Sequence, residues 1–75
     1  MKEFVEYIVK SIVSDKEHVM VDVSERDRTV MIRVNVAQED MGRVIGRRGR
    51  TVNSIRSLLR VLGSDSGTRV ELDIE

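Results

Sequence analysis

The chain contains no cysteine, no proline and no tryptophan, and Phe4 and Tyr7 are its only aromatic residues. The absence of cysteine excludes disulfides, thiolate metal ligands and a cysteine nucleophile. No apolar run exceeds three residues, Val19 to Val21 among them, so no segment is long enough to span a membrane. Histidine is nearly absent too. The single one, His18, stands beside Glu17 in a polar stretch, the setting of a surface residue and not of a ligand or a base. Carboxylates are scattered, with no metal-ligand spacing, no nucleophile–base pair and no Walker lysine followed by Ser or Thr. The expectation is therefore no catalytic residue, no metal and no cofactor. The N-terminal Met1-Lys2-Glu3-Phe4 mixes charge with apolar residues and lacks a signal-peptide apolar region, which predicts a cytoplasmic protein.

What is present is a globular composition: 75 residues, 40% apolar and 35% charged, without low-complexity tracts. That length makes one domain, residues 1–75, with one modest core, since so short a chain buries only a little over about 60% of its unfolded surface. The formal net charge is zero, but the charge is unevenly placed. Residues 1–40 and 63–75 each carry an excess of three acids. Residues 41–62 carry Arg43, Arg47, Arg48, Arg50, Arg56 and Arg60 and no acid at all. A local positive field on a neutral protein steers an anion to one place.

Hydrophobic periodicity supplies the elements. Residues 2–14 read as a helix, with Phe4, Val5, Ile8, Val9, Ile12 and Val13 on one stripe. After the polar break Asp15-Lys16-Glu17-His18, residues 19–24 alternate, as do residues 29–36, with Glu25-Arg26-Asp27-Arg28 as a turn. Two β-branched runs this close predict an antiparallel hairpin with one apolar face. Residues 39–45 read as a short helix with Glu39 and Asp40 in its first turn, where acids suit the dipole. A longer helix follows from about Arg50 to Leu62, turning Val52, Ile55, Leu58, Leu59 and Leu62 inward. Residues 68–74 alternate as a last strand, with Val70, Leu72 and Ile74 facing in. The order α-β-β-α-α-β predicts a two-layer α+β domain, three strands in a mixed sheet packed on three helices. The helical pair makes the second and third strands parallel if they are neighbours.

Between the last two helices lies Val44-Ile45-Gly46-Arg47-Arg48-Gly49-Arg50. Glycines allow close backbone approach and unusual dihedrals. Gly46 also reads as a helix C-cap, and Gly49 as the easing of a tight turn. Arg47 and Arg48 are the exposed pair. Arg50 puts a cation at a helix start, against the dipole, which fits an anion site. Arg43 extends the basic track, and Arg56 with Arg60 continues it one face further on. Met41, Val44 and Ile45 are candidates for the floor of an apolar groove beside the loop. These residues have the chemistry to hold a phosphodiester chain. With Phe4 and Tyr7 both in the first helix, Phe4 in the core and Tyr7 at its edge, binding built on base stacking is not expected.

Val44 to Gly49 resembles the V-I-G-x-x-G signature of KH domains, and Val52 and Ile55 continue the match into the following helix. The element order resembles the type II KH arrangement, and the whole chain is similar to small bacterial single-KH proteins of the KhpA kind. One departure is Arg47-Arg48 inside the loop, where a lysine is frequent in the family; the charge is kept. The resemblance implies binding of single-stranded RNA as a chaperone or post-transcriptional regulator. About four nucleotides would lie against Gly46-Arg47-Arg48-Gly49, with Arg43, Ile45, Arg50 and Arg56 as further contacts. It also implies a homodimer, or a heterodimer with a second KH-containing protein. Two other readings stand beside it. Two helices joined by a glycine turn, with arginines on the second, also suit a DNA major groove, though a sheet-based core counts against a helix-turn-helix. Leu58, Val61 and Leu62 spread wider than a single core face needs, which fits a dimerisation module.

Overall fold

The computed structural model describes residues 1–75. Helix α1 (Lys2–Ile12) leads through a short 3₁₀ turn, Lys16–His18, into strands β1 (Met20–Arg26) and β2 (Thr29–Asn35). A 3₁₀ turn, Gln38–Asp40, runs directly into helix α2 (Met41–Ile45). Another, Arg47–Gly49, runs into helix α3 (Arg50–Ser64), and strand β3 (Arg69–Ile74) ends the fold. The α-β-β-α-α-β order is as the periodicity predicts.

The sheet order is β1-β2-β3. β1 and β2 are antiparallel, with Val21 opposite Val34 and Val23 opposite Ile32; β2 and β3 are parallel, with Ile32 opposite Leu72. Because strand side chains alternate, this register puts Val21, Val30, Ile32, Val34, Val70 and Leu72 on one buried face. Val5, Val9 and Val13 of the first helical segment, Val44 of α2, and Val52, Ile55 and Leu59 of α3 close the core over it. The sheet's other face stays open to solvent, as Met20 and Met31 show.

Several boundaries differ from the expectation. α1 stops at Ile12, and the hairpin turn shrinks to Asp27-Arg28, because both strands pair as far as Arg26 and Thr29. Asp27 accepts the left-handed backbone (φ 57°) that this two-residue turn needs. The expected helix 39–45 divides into the 3₁₀ turn and the five residues of α2. Phe4, expected in the core, is 39% exposed: it flanks the stripe whose centre is Val5 and Val9. Leu58 and Leu62 are likewise half-exposed, since only Val52, Ile55, Leu59 and Gly63 of α3 point squarely at the sheet.

Candidate nucleic-acid interface

α2 and α3 are separated by one tight loop, and its backbone explains its glycines. Gly46 ends α2 with φ 79° and ψ 171°, a region that is essentially glycine-only. A Cβ built there would meet Thr51 of α3, lying 2.7 Å from its Cβ and 2.8 Å from its backbone nitrogen. The space a side chain would need at Gly46 is thus filled by the protein itself. Gly49 is also left-handed (φ 74°, ψ 13°), but the nearest obstacle to a Cβ is Asn53 Nδ2 at 3.4 Å. Of the two glycines, Gly49 is the one with an open approach. The Gly49 N–H donates to the Gly46 carbonyl at 3.1 Å and closes the loop.

Arg47 and Arg48 are exposed at its tip. Arg48 is held at φ 57°, ψ 28°, a left-handed conformation that costs a non-glycine residue about 1 kcal/mol or more. Arg50 opens α3 and is exposed. No side chain caps the α3 N-terminus, so its first-turn amides have no side-chain acceptor. Loop, arginines and helix entrance face solvent together. An anion reaching them meets two guanidinium groups, a third one turn on, and the positive end of a fifteen-residue helix.

The flanking residues divide. Ile45 is 37% exposed beside the loop, whereas Val44 is fully buried and Met41 is half-buried against the core. Of the three candidates for an apolar floor, Ile45 is the accessible one. Arg43 donates from Nη1 to Ser14 Oγ at 2.7 Å and so leans toward the end of α1. Arg56 turns to the strand edge: Nε and Nη2 donate to the Leu72 carbonyl at 3.2 and 3.1 Å, and Nη1 to Asn53 Oδ1 at 3.3 Å. Arg56 and Arg60 line an open groove of about 870 Å³ between α3 and the free edge of β3, with Ser64, Arg69 and Glu71 further along. Sequence reasoning missed this groove. The i, i+4 pair of arginines pointed to it, but only the antiparallel run of β3 beside α3 makes it a channel.

Sequence reasoning also missed what Asp40 does. It is not a dipole-facing surface acid but the buried charge of the fold, 1% exposed. Its Oδ1 accepts the Ser14 N–H at 2.9 Å and its Oδ2 the Asp15 N–H at 3.0 Å. Those two bonds, the Ser14 one foremost, hold the carboxyl below its ordinary range; burial opposes them, and Arg43 and Lys16 add to them. A depressed folded-state pKa means that the stabilisation is present above the unfolded value of about 3.9 and is lost as pH falls through the folded value. Asp40→Asn should therefore lower the melting temperature at neutral pH. The gap from wild type should close in thermal melts below about pH 4.

Known proteins resemble this chain over almost its whole length. The family model for the KH domain of KhpA and KhpB matches residues 2–74. A protein of Borreliella burgdorferi named RNA-binding protein KhpA is 39% identical over 72 residues, covering 96% of this chain and 88% of its own length. Relatives of the same name from Chlamydia pneumoniae (39% identical) and Listeria monocytogenes (38%) align over 74 residues, 99% of this chain and 95% and 97% of theirs. A five-residue α2 followed by a strand-bound α3 does not favour the helix-turn-helix alternative, and neither does this family.

Proposed function

We propose that this chain, which belongs to the KhpA/KhpB KH-domain family, binds single-stranded RNA by laying its sugar–phosphate backbone across Gly46-Arg47-Arg48-Gly49. The observation that carries this reading is the loop itself: two exposed arginines between two left-handed glycines, set at the uncapped entrance of α3. Arg48 is kept in an unfavourable backbone conformation where glycine would sit more easily. Such strain fits a side chain retained for what it touches outside the protein. Ile45 and the α3–β3 groove offer the adjoining surface for bases, with Arg56 at its wall. The work is binding, in the manner of an RNA chaperone or post-transcriptional regulator in the cytoplasm, and not catalysis.

The test is binding of a short unstructured RNA, followed by fluorescence anisotropy, against duplex DNA of matching sequence. The RNA should bind more tightly. Its log affinity should fall against log salt with a slope of about −2, as expected for three phosphates neutralised by Arg47, Arg48 and Arg50 on a single strand. Duplex DNA binding equal to or tighter than RNA binding would refute the assignment.

A second KH domain fits the outer flank of α3. Leu58, Val61 and Leu62 are 44%, 63% and 41% exposed there, and Thr51 and Ser54 continue the same uncharged strip. A strip without charge lets two identical copies meet about a two-fold axis without like-charge repulsion. Wild-type protein should sediment as a dimer that dissociates on dilution. Leu58→Asp with Val61→Asp should sediment as a monomer at every concentration with an unchanged circular dichroism spectrum. A wild type that stays monomeric at high concentration would leave the flank to a different KH-bearing chain.

A further inference from the structure

The loop that meets RNA in this reading hangs from a very short element. α2 has five residues, so the carboxylate at its start and Gly46 at its end lie only about 9 Å apart along the helix. No side chain caps α2 or the 3₁₀ turn before it. What fastens its start is Asp40, which reaches across 25 and 26 residues of sequence to the two backbone N–H groups at the exit of α1. Arg43 makes a second tie from α2 to the same place, on Ser14 Oγ. The inner side of α2 is fixed by Val44, which is fully buried. Three attachments thus set where Gly46 begins, and of the two charged ones Asp40 is the buried one and the one that makes two backbone hydrogen bonds.

We infer that Asp40 is a positioning residue for RNA binding. By fastening the start of α2 to the exit of α1 it holds Gly46 to Gly49 in the arrangement that accepts a strand, without touching RNA itself. This rests on the RNA-binding reading above. A carboxylate suits the position because it accepts from two separate amides at once, one per oxygen. Asparagine has a single acceptor oxygen, and its NH₂ would face the second N–H donor to donor. With one tie lost, α2 and the loop sample other placements, and apparent affinity falls by the fraction of time the loop spends in the competent one.

Asp40→Asn should weaken binding of a short unstructured RNA about tenfold, measured well below its melting temperature, which corresponds to a competent loop about one-tenth of the time. In the absence of RNA, the Gly46, Arg47, Arg48 and Gly49 amide resonances should shift in the same variant. Val21→Ala, a core truncation in β1 that removes none of the three attachments of α2, is the control. It should lower stability and leave RNA affinity within twofold of wild type. If Asp40→Asn binds like wild type, or weakens binding no more than Val21→Ala does, the inference is wrong.

Wild type gives an independent measurement should the variant fail to fold. Coupling is reciprocal, so saturating RNA should slow hydrogen exchange at the Ser14 and Asp15 amides although neither lies in the loop. Unchanged exchange there would overturn the inference. A wild type that binds no RNA sinks the functional reading instead, and loop resonances unmoved in Asp40→Asn then sink the positioning role separately.

Discussion

Replacing Arg47 and Arg48 with aspartate should reduce affinity for single-stranded RNA at least a hundredfold and leave the fold intact. Both side chains are exposed and neither makes a hydrogen bond or ion pair within the protein, so the native state loses no contact with them. Charge-assisted hydrogen bonds to phosphate are worth about 1.5–3 kcal/mol each. Losing two removes about 3–6 kcal/mol, a factor of about a hundred or more in the dissociation constant. Aspartates in the same loop add repulsion toward the strand. Asparagine at position 48 separates charge from conformation, because it tolerates the left-handed backbone (φ 57°) that arginine adopts there at a cost. Arg48→Asn should melt no lower than wild type and still bind RNA more weakly. Isothermal titration beside a thermal melt distinguishes these outcomes. Full affinity in a folded double aspartate variant would remove the loop from the interface.

Gly46→Ala should unfold the domain or bring it to the edge of unfolding, while Gly49→Ala should leave it folded. Both glycines have positive φ, but the two substitutions meet different surroundings. At Gly46, alanine enters a region populated almost only by glycine, at a cost of about 1–3 kcal/mol. Its Cβ also collides with Thr51, whose own backbone nitrogen cannot move without disturbing the first turn of α3. Overpacking of that kind costs about 1–3 kcal/mol more. A 75-residue domain has a total stability of order 5 kcal/mol, so the two costs together are comparable with all of it. At Gly49 the nearest atom is the far end of the Asn53 side chain, and the cost is only the backbone one, about 1–2 kcal/mol. Urea titrations of the two variants should therefore differ widely in midpoint. Similar midpoints would mean that the Thr51 contact does not constrain Gly46.

The contrast between those glycines shows what was legible in the sequence. Alternation such as Val30, Ile32 and Val34 fixes which strand face is buried, because a one-residue slip would expose every one of them. The helical crossover between the second and third strands predicts the parallel β2–β3 pairing that is found. The loop announces itself by composition, two glycines around two arginines inside an acid-free segment. What the chain does not display are the long-range partners. Gly46 reads as a helix stop from either side, and only the folded backbone shows Thr51 filling its space. Asp40 looks like any acid in a first helical turn until the exit of α1 is brought beside it. Arg56 looks like a solvated helix face until β3 runs alongside and offers the Leu72 carbonyl. Phe4, Leu58 and Leu62 read as core because an apolar stripe on a helix is wider than the strip a three-stranded sheet covers.

The most direct measurement is a titration of the isotopically labelled protein with a short single-stranded RNA, following every backbone amide. The largest shifts should centre on Gly46 to Arg50, extend to Ile45 and along α3 toward Arg56, and leave the open face of the sheet around Met20 and Ser24 unmoved. Shifts centred on that sheet face, with Gly46 to Gly49 silent at saturation, would contradict the account.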